Sequence, residues 1–144
     1  MTDTYDLVIH AAKAVVGGAE IGCTVGVRGG TIVAVEPYGA DLAGKQELRL
    51  ADDEVLLPGL VDTHVHVNDP GRTEWEGFVS ATRAAAAGGV TTIIDMPLNS
   101  LPPTVDVAAL EVKRKAAQQN CFVDVGFWGG AIPGNAADRS VSAA

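Results

Sequence analysis

Cysteine is scarce: of 144 residues only Cys23 and Cys121 carry thiols, far apart and without CxxC spacing. Two reduced thiols in an intracellular protein is the expected state. Basic residues are few as well. Ten Lys and Arg against 18 Asp and Glu leave a net charge of −8, with no basic face. Nucleic acid is therefore not an expected partner. The densest basic stretch, Lys113-Arg114-Lys115, is expected on the solvated side of a helix. No apolar run approaches the ~18 residues of a membrane span. The start MTDTYDLVIHAAK lacks the basic-then-apolar pattern of a signal peptide. These absences make a soluble, cytoplasmic protein with no membrane partner the expectation. No GxGxxG or GxxxxGK[ST] loop follows a strand pattern, which disfavours a nucleotide-binding doubly wound sheet.

What is present suffices for a core, with 47% hydrophobic content in the length of one ordinary domain. The first fifty residues read as short strands with glycine turns, forming a small antiparallel sheet. The candidates are Asp6–His10, the alternating Cys23, Val25 and Val27, then Ile32–Val35, Leu48–Leu50 and Val55–Leu57. Gly29-Gly30 between two β-rich runs is a hairpin signal, since both positions tolerate positive φ.

From Pro58 the pattern changes to strand, helix, strand, helix, strand. Gly59–Val67 reads as a buried strand and Thr73–Ala87 as a helix, with Thr73 and Glu76 as a capping box. Trp75, Phe78, Val79, Thr82 and Ala86 would share its buried face, and Gly88-Gly89 would stop it. Val90–Met96 reads as a second buried strand. A second helix capped by Thr104 or Asp106 would run to about Gln119, and Cys121–Trp128 would form a third strand. Such an order implies right-handed crossovers and a parallel sheet. The fold class expected is α/β: the start of a TIM (β/α)₈ barrel, preceded by a small β-rich domain. A closed barrel needs about 250 residues, so the barrel is expected to be incomplete in this chain. The domains expected are a β-rich segment at 1–56, the first β/α units at 57–135 and an atypical tail at 136–144.

Of three histidines, two lie two residues apart in GLVDTHVHVNDPG. Side chains alternate along a strand, so Asp62, His64 and His66 are expected on one face. Two imidazoles from a rigid strand can reach one ion, and imidazole suits zinc, cobalt, nickel or iron. A bare HxH is common by chance, but here it has an apolar strand before it and an Asp-Pro-Gly loop after. His10 has no such setting and reads as a surface or satisfied core residue. Catalytic zinc normally takes at least three protein ligands plus water. Asp69 reads as a turn former and Asp95 as the end of a strand, so the remaining ligands are expected on later strands.

The runs LPGLVDTHVH (57–66), NDPGRTEWEGF (68–78), DMPLNSLPPTVD (95–106) and DVGFWGGAIPGN (124–135) carry a resemblance. They resemble the cyclic amidohydrolases of the amidohydrolase superfamily, in particular its allantoinase branch, and the Met96–Ser100 loop is the most specific element. The resemblance implies a metal-dependent barrel flanked by a small β domain. It implies two divalent ions, usually zinc, bridged by hydroxide and a carbamylated lysine, with His64 and His66 matching the first two ligands. The implied substrate is the ureide allantoin, its hydantoin ring opened to allantoate in purine breakdown. A homo-oligomer, tetrameric in the family, is implied for the full-length protein.

Asn99 and Ser100 are candidate substrate contacts, with turn shaping as the alternative. Asp62 is a candidate orienter of a ligand imidazole, with a buried structural hydrogen bond as the alternative. Arg72 is expected at the surface. No lysine here matches the carbamylated one, and the catalytic aspartate lies beyond the chain. The expectation is an inactive amino-terminal fragment of such a hydrolase. The alternatives are a dihydropyrimidinase, hydantoinase or dihydroorotase relative, or a non-catalytic interaction fragment.

Overall fold

The computed structural model describes residues 4–136 and divides after Pro58 into two compact units. Of the expected tail at 136–144, residues 137–144 lie outside the described residues. Among the described residues no helix is long and apolar enough to cross a membrane.

In the first unit, β1 (Tyr5–Val16), β2 (Ala19–Arg28), β3 (Thr31–Pro37) and β4 (Gly44–Arg49) form one sheet in the order β3-β2-β1-β4. β1 runs well beyond the expected Asp6–His10. Pairing with β2 on one side and backbone bonds of Lys13 and Val15 with Leu56 on the other override the weak strand preference of its Ala-Ala-Lys-Ala stretch. The expected antiparallel sheet is corrected to a mixed one, because β4 pairs with β1 in parallel. Of Val55–Leu57, only Leu56 makes a bridge, to Ala14. Gly29 and Gly30 take φ of 58° and 76° in the two-residue turn between β2 and β3. Ala11, Ala14, Cys23 and Val25 form the core, with Ile9, Val16, Val27, Leu50 and Leu56 against it.

In the second unit, β5 (Leu60–Val65), β6 (Val90–Asp95) and β7 (Asp124–Phe127) form a parallel sheet in the order β5-β6-β7. The helices α1 (Phe78–Ala87) and α2 (Val107–Ala117) connect them. Val67, Phe78, Ile93 and Ala117 are its buried core. Phe78 meets Phe127 edge-on, with centroids 6.2 Å apart.

Three expectations for this unit are corrected. β5 is an edge strand and largely exposed, with Leu60 and Val61 each at 59%. Helix α1 starts at Phe78, not Thr73. Gly77 takes φ 83°, and the Thr73 hydroxyl donates instead to Asp69 Oδ1 at 2.9 Å. Asp69 Oδ2 accepts from the Phe78 N–H, so a residue nine positions back serves that end of the helix. The inward face is consequently Phe78, Ala81, Thr82 and Ala85, while Trp75 precedes the helix and stands 63% exposed under Arg72. Helix α2 starts where expected, with Asp106 accepting from the Ala109 N–H at 2.8 Å. Lys113 is not solvated: it is fully buried with Ala109, Leu110 and Ala117.

Candidate metal centre

The β5–β6 pairing is regular at Val61 and Asp62, shifts, and resumes at Val65. Thr63 and His64 fall in the gap, and His66 lies just past the end of β5. Here side chains supply bonds the ladder does not. Asp62 Oδ1 accepts from the His64 N–H at 3.0 Å. The Trp128 indole N–H donates to the Thr63 carbonyl at 2.9 Å. Asp95 Oδ1 accepts from the Val67 N–H at 2.8 Å, and the Asn68 amide donates to the His66 carbonyl at 3.2 Å. Asn68 itself holds φ 63°, a left-handed conformation that asparagine tolerates better than most residues.

The outcome is two exposed imidazoles whose Nε2 atoms stand 3.3 Å apart, ring centroids at 5.2 Å. Two nitrogens each about 2.0–2.1 Å from one tetrahedral ion stand about 3.4 Å apart. The separation is therefore that of two ligands of one divalent cation, and imidazole nitrogens are donors of the kind that zinc and its neighbours prefer. Among the described residues no third His, Cys, Asp or Glu joins them in a group able to hold a metal.

Beside the pair lies a hollow of about 420 Å³ lined by Thr63, His64, Met96, Pro97, Trp128 and Gly129. Trp128, half-exposed, is a wall of this hollow that sequence reasoning missed. Its position directly after β7, at the same sheet end as Met96 after β6, was the available signal. Asn99 is half-buried on the loop after β6 and is not part of the lining. Ser100 is buried, and its hydroxyl donates to the Pro102 carbonyl at 3.2 Å, so it shapes its own loop. The Asp62 carboxylate bonds the backbone of His64, not an imidazole. His10 lies buried in the first unit, with Nδ1 3.2 Å from the Thr24 hydroxyl.

Behind the loop lies an ion pair. Lys113 Nζ donates to Asp95 Oδ2 at 2.6 Å, the side chains 0% and 1% exposed, and also to the Met96 carbonyl at 3.1 Å. Asp95 is thus more than a strand end, and the signal was the spacing Ala109, Leu110, Lys113, Ala117 on one helix face. Cys121, half-buried, donates to the Ala117 carbonyl. Burial, then the nearby Asp69 charge, pushes its thiol pKa up.

Comparison with known proteins bears on this geometry. Residues 55–143 match the model of the amidohydrolase family. The allantoinase of Streptomyces avermitilis is 54% identical over 133 residues, covering 92% of this chain and 30% of that protein. The allantoinase of Arabidopsis thaliana is 47% identical over 135 residues, covering 92% of this chain and 27% of that protein. Among solved structures, the L-hydantoinase (dihydropyrimidinase) of Arthrobacter aurescens superposes with a TM-score of 0.83 at 30% identity. It covers 94% of this chain and 30% of its own. The chain thus spans about 30% of the length of relatives such as these.

Proposed function

Because this chain belongs to the amidohydrolase family, we propose that it is part of an allantoinase-type hydrolase that opens the hydantoin ring of allantoin to allantoate. The reading is carried by the His64–His66 pair, with Nε2 atoms 3.3 Å apart at the carboxyl end of β5. The parallel β5-β6-β7 sheet with its two crossover helices is taken as the start of a (β/α)₈ barrel, whose strands present functional groups at that end. The first unit is taken as part of a flanking β domain.

In this reading His64 and His66 hold a divalent ion, zinc by resemblance to the family, since two imidazoles equally suit cobalt, nickel or iron. Such an ion supplies Lewis-acid polarisation of an amide carbonyl and acidifies water. The chain's own residues position the ring. Trp128, fixed through Thr63, offers a flat wall beside His64. Asn99, on the loop after β6 but outside the lining of the hollow, is proposed to meet the ureide only from that loop, and Ser100 keeps the loop in shape. Asp62 acts on His64 through its backbone N–H. The wider reading includes a cytoplasmic homo-oligomer and the remaining metal ligands on further strands.

The test is turnover of allantoin, hydantoin and dihydroorotate by the protein purified from its own source. Preference for allantoin, lost by about 10²-fold or more in His64→Ala or His66→Ala, is expected. A preference for hydantoin or dihydroorotate would move the substrate within the cyclic amides. No turnover of any cyclic amide by the full-length protein would refute the reading.

A further inference from the structure

Apart from the histidines, the buried Asp95–Lys113 pair is the chemically most demanding feature of the second unit. Withdrawing two charges from water is costly, and an apolar pair of similar size often leaves a protein as stable or more so. Packing therefore does not explain it. Its bonds do. One oxygen of Asp95 takes Lys113 and the other takes the Val67 N–H, while Lys113 also holds the Met96 carbonyl. The Met96 N–H in turn donates to the Val65 carbonyl at 2.7 Å. The two residues flanking His66 are thus each bonded to Asp95 or Met96, and both of those are tethered to one ammonium on α2.

We propose that the Asp95–Lys113 pair is a positioning device for the metal centre, holding the His66 backbone where the strand ladder has ended. Asp95 is a positioning residue, not a catalytic one, since it reaches the imidazole only through the Val67 peptide. A carboxylate is suited to this because it can accept from a backbone N–H and an ammonium at once, with short charge-assisted bonds. Lys113 keeps the carboxylate from rotating away and matches its charge inside the core. The inference rests on the reading of His64 and His66 as ligands.

The test uses the 144-residue chain with Ni²⁺ as the probe, read by calorimetric titration and by long-range ¹H–¹⁵N spectra of the imidazoles. Asp95→Leu with Lys113→Met deletes the acceptor for Val67 without stranding a charge. Asp95→Val with Lys113→Met, which likewise leaves no acceptor for Val67, serves if the first variant does not fold. Ala85→Gly, on α1, is the control for a loss of stability alone. Ni²⁺ affinity is expected to fall about tenfold in either double variant, as when an outer partner of a ligand is removed. The His66 ring resonances should shift while those of His10 stay in place. Parent-like affinity and unmoved His66 resonances would overturn the clamp, as would an equal loss in Ala85→Gly. If His64→Ala leaves Ni²⁺ binding intact in the parent, the metal-centre reading fails separately. The clamp is then decided by the His66 resonances alone.

Discussion

Among the described residues, both units carry an ion pair in the open but the second also buries one. In the first, Lys45 bonds Asp6 at 2.7 Å in the open, the side chains 68% and 44% exposed. Among its described residues, the interior of that unit is apolar apart from the His10–Thr24 contact. In the second, Lys113–Asp95 is inside, while Arg114–Glu111 at 2.8 Å and the histidines are outside. A sheet that only has to cohere can leave its ions in water, where their pairing contributes little. On the proposed reading, a sheet that holds His64 within a strand and His66 just past its end relies on a bond that water cannot compete for.

Lys113→Met gives the largest effect expected from this contrast. It strands the Asp95 charge in the core and should destabilise the second unit by about 3–5 kcal/mol in urea unfolding. Lys45→Met should leave the first unit's transition where it is. Equal midpoint shifts for the two would break the comparison.

Next come the threonine hydrogen bonds, which sharpen it. The Thr82 hydroxyl donates to the Phe78 carbonyl and accepts from the Phe122 N–H. The Thr24 hydroxyl pairs with His10 and accepts from the Gly39 N–H. Thr82→Val and Thr24→Val should each cost about 1–3 kcal/mol. Similar losses would locate the difference between the units in their ions and not in hydrogen bonding generally.

His64→Ala should change stability by less than about 0.5 kcal/mol, because the ring is exposed, while Ni²⁺ binding disappears. A marked stability loss would mean that the imidazole pair is structural.

Last is a pH effect confined to the first unit. Hydrogen bonds from the Lys45 ammonium and the Gly29 N–H hold the Asp6 pKa below the ordinary 3.8. A depressed pKa means the contribution is fully present above the unfolded value and is lost as pH falls through the folded one. The Asp6 carboxyl resonance should therefore titrate below 3.8. A midpoint above that value would remove the ion pair from the account.

Much of the fold was legible because its signals are local. Gly29-Gly30, the Val90–Asp95 run, the Asp106 cap and the Gly88-Gly89 stop each act within a few residues. The Thr73 cap misled because a threonine can bond any nearby acceptor, and Asp69 was there first. Lys113 misled because a lysine is buried only when a carboxylate from another element awaits it. That partner lies 18 positions away, on β6.

By itself the sequence determined the strand–helix–strand order, the stops between elements and the HxH pair, since propensity, capping and two-residue periodicity are properties of neighbours along the chain. Only the tertiary structure decided that β4 would run parallel to β1, that β5 would lie at an edge, and that Asp95 would meet both Lys113 and the Val67 N–H. Those outcomes depend on which distant groups are brought into contact, and the strength of a charge or a hydrogen bond is set by the water excluded when they meet.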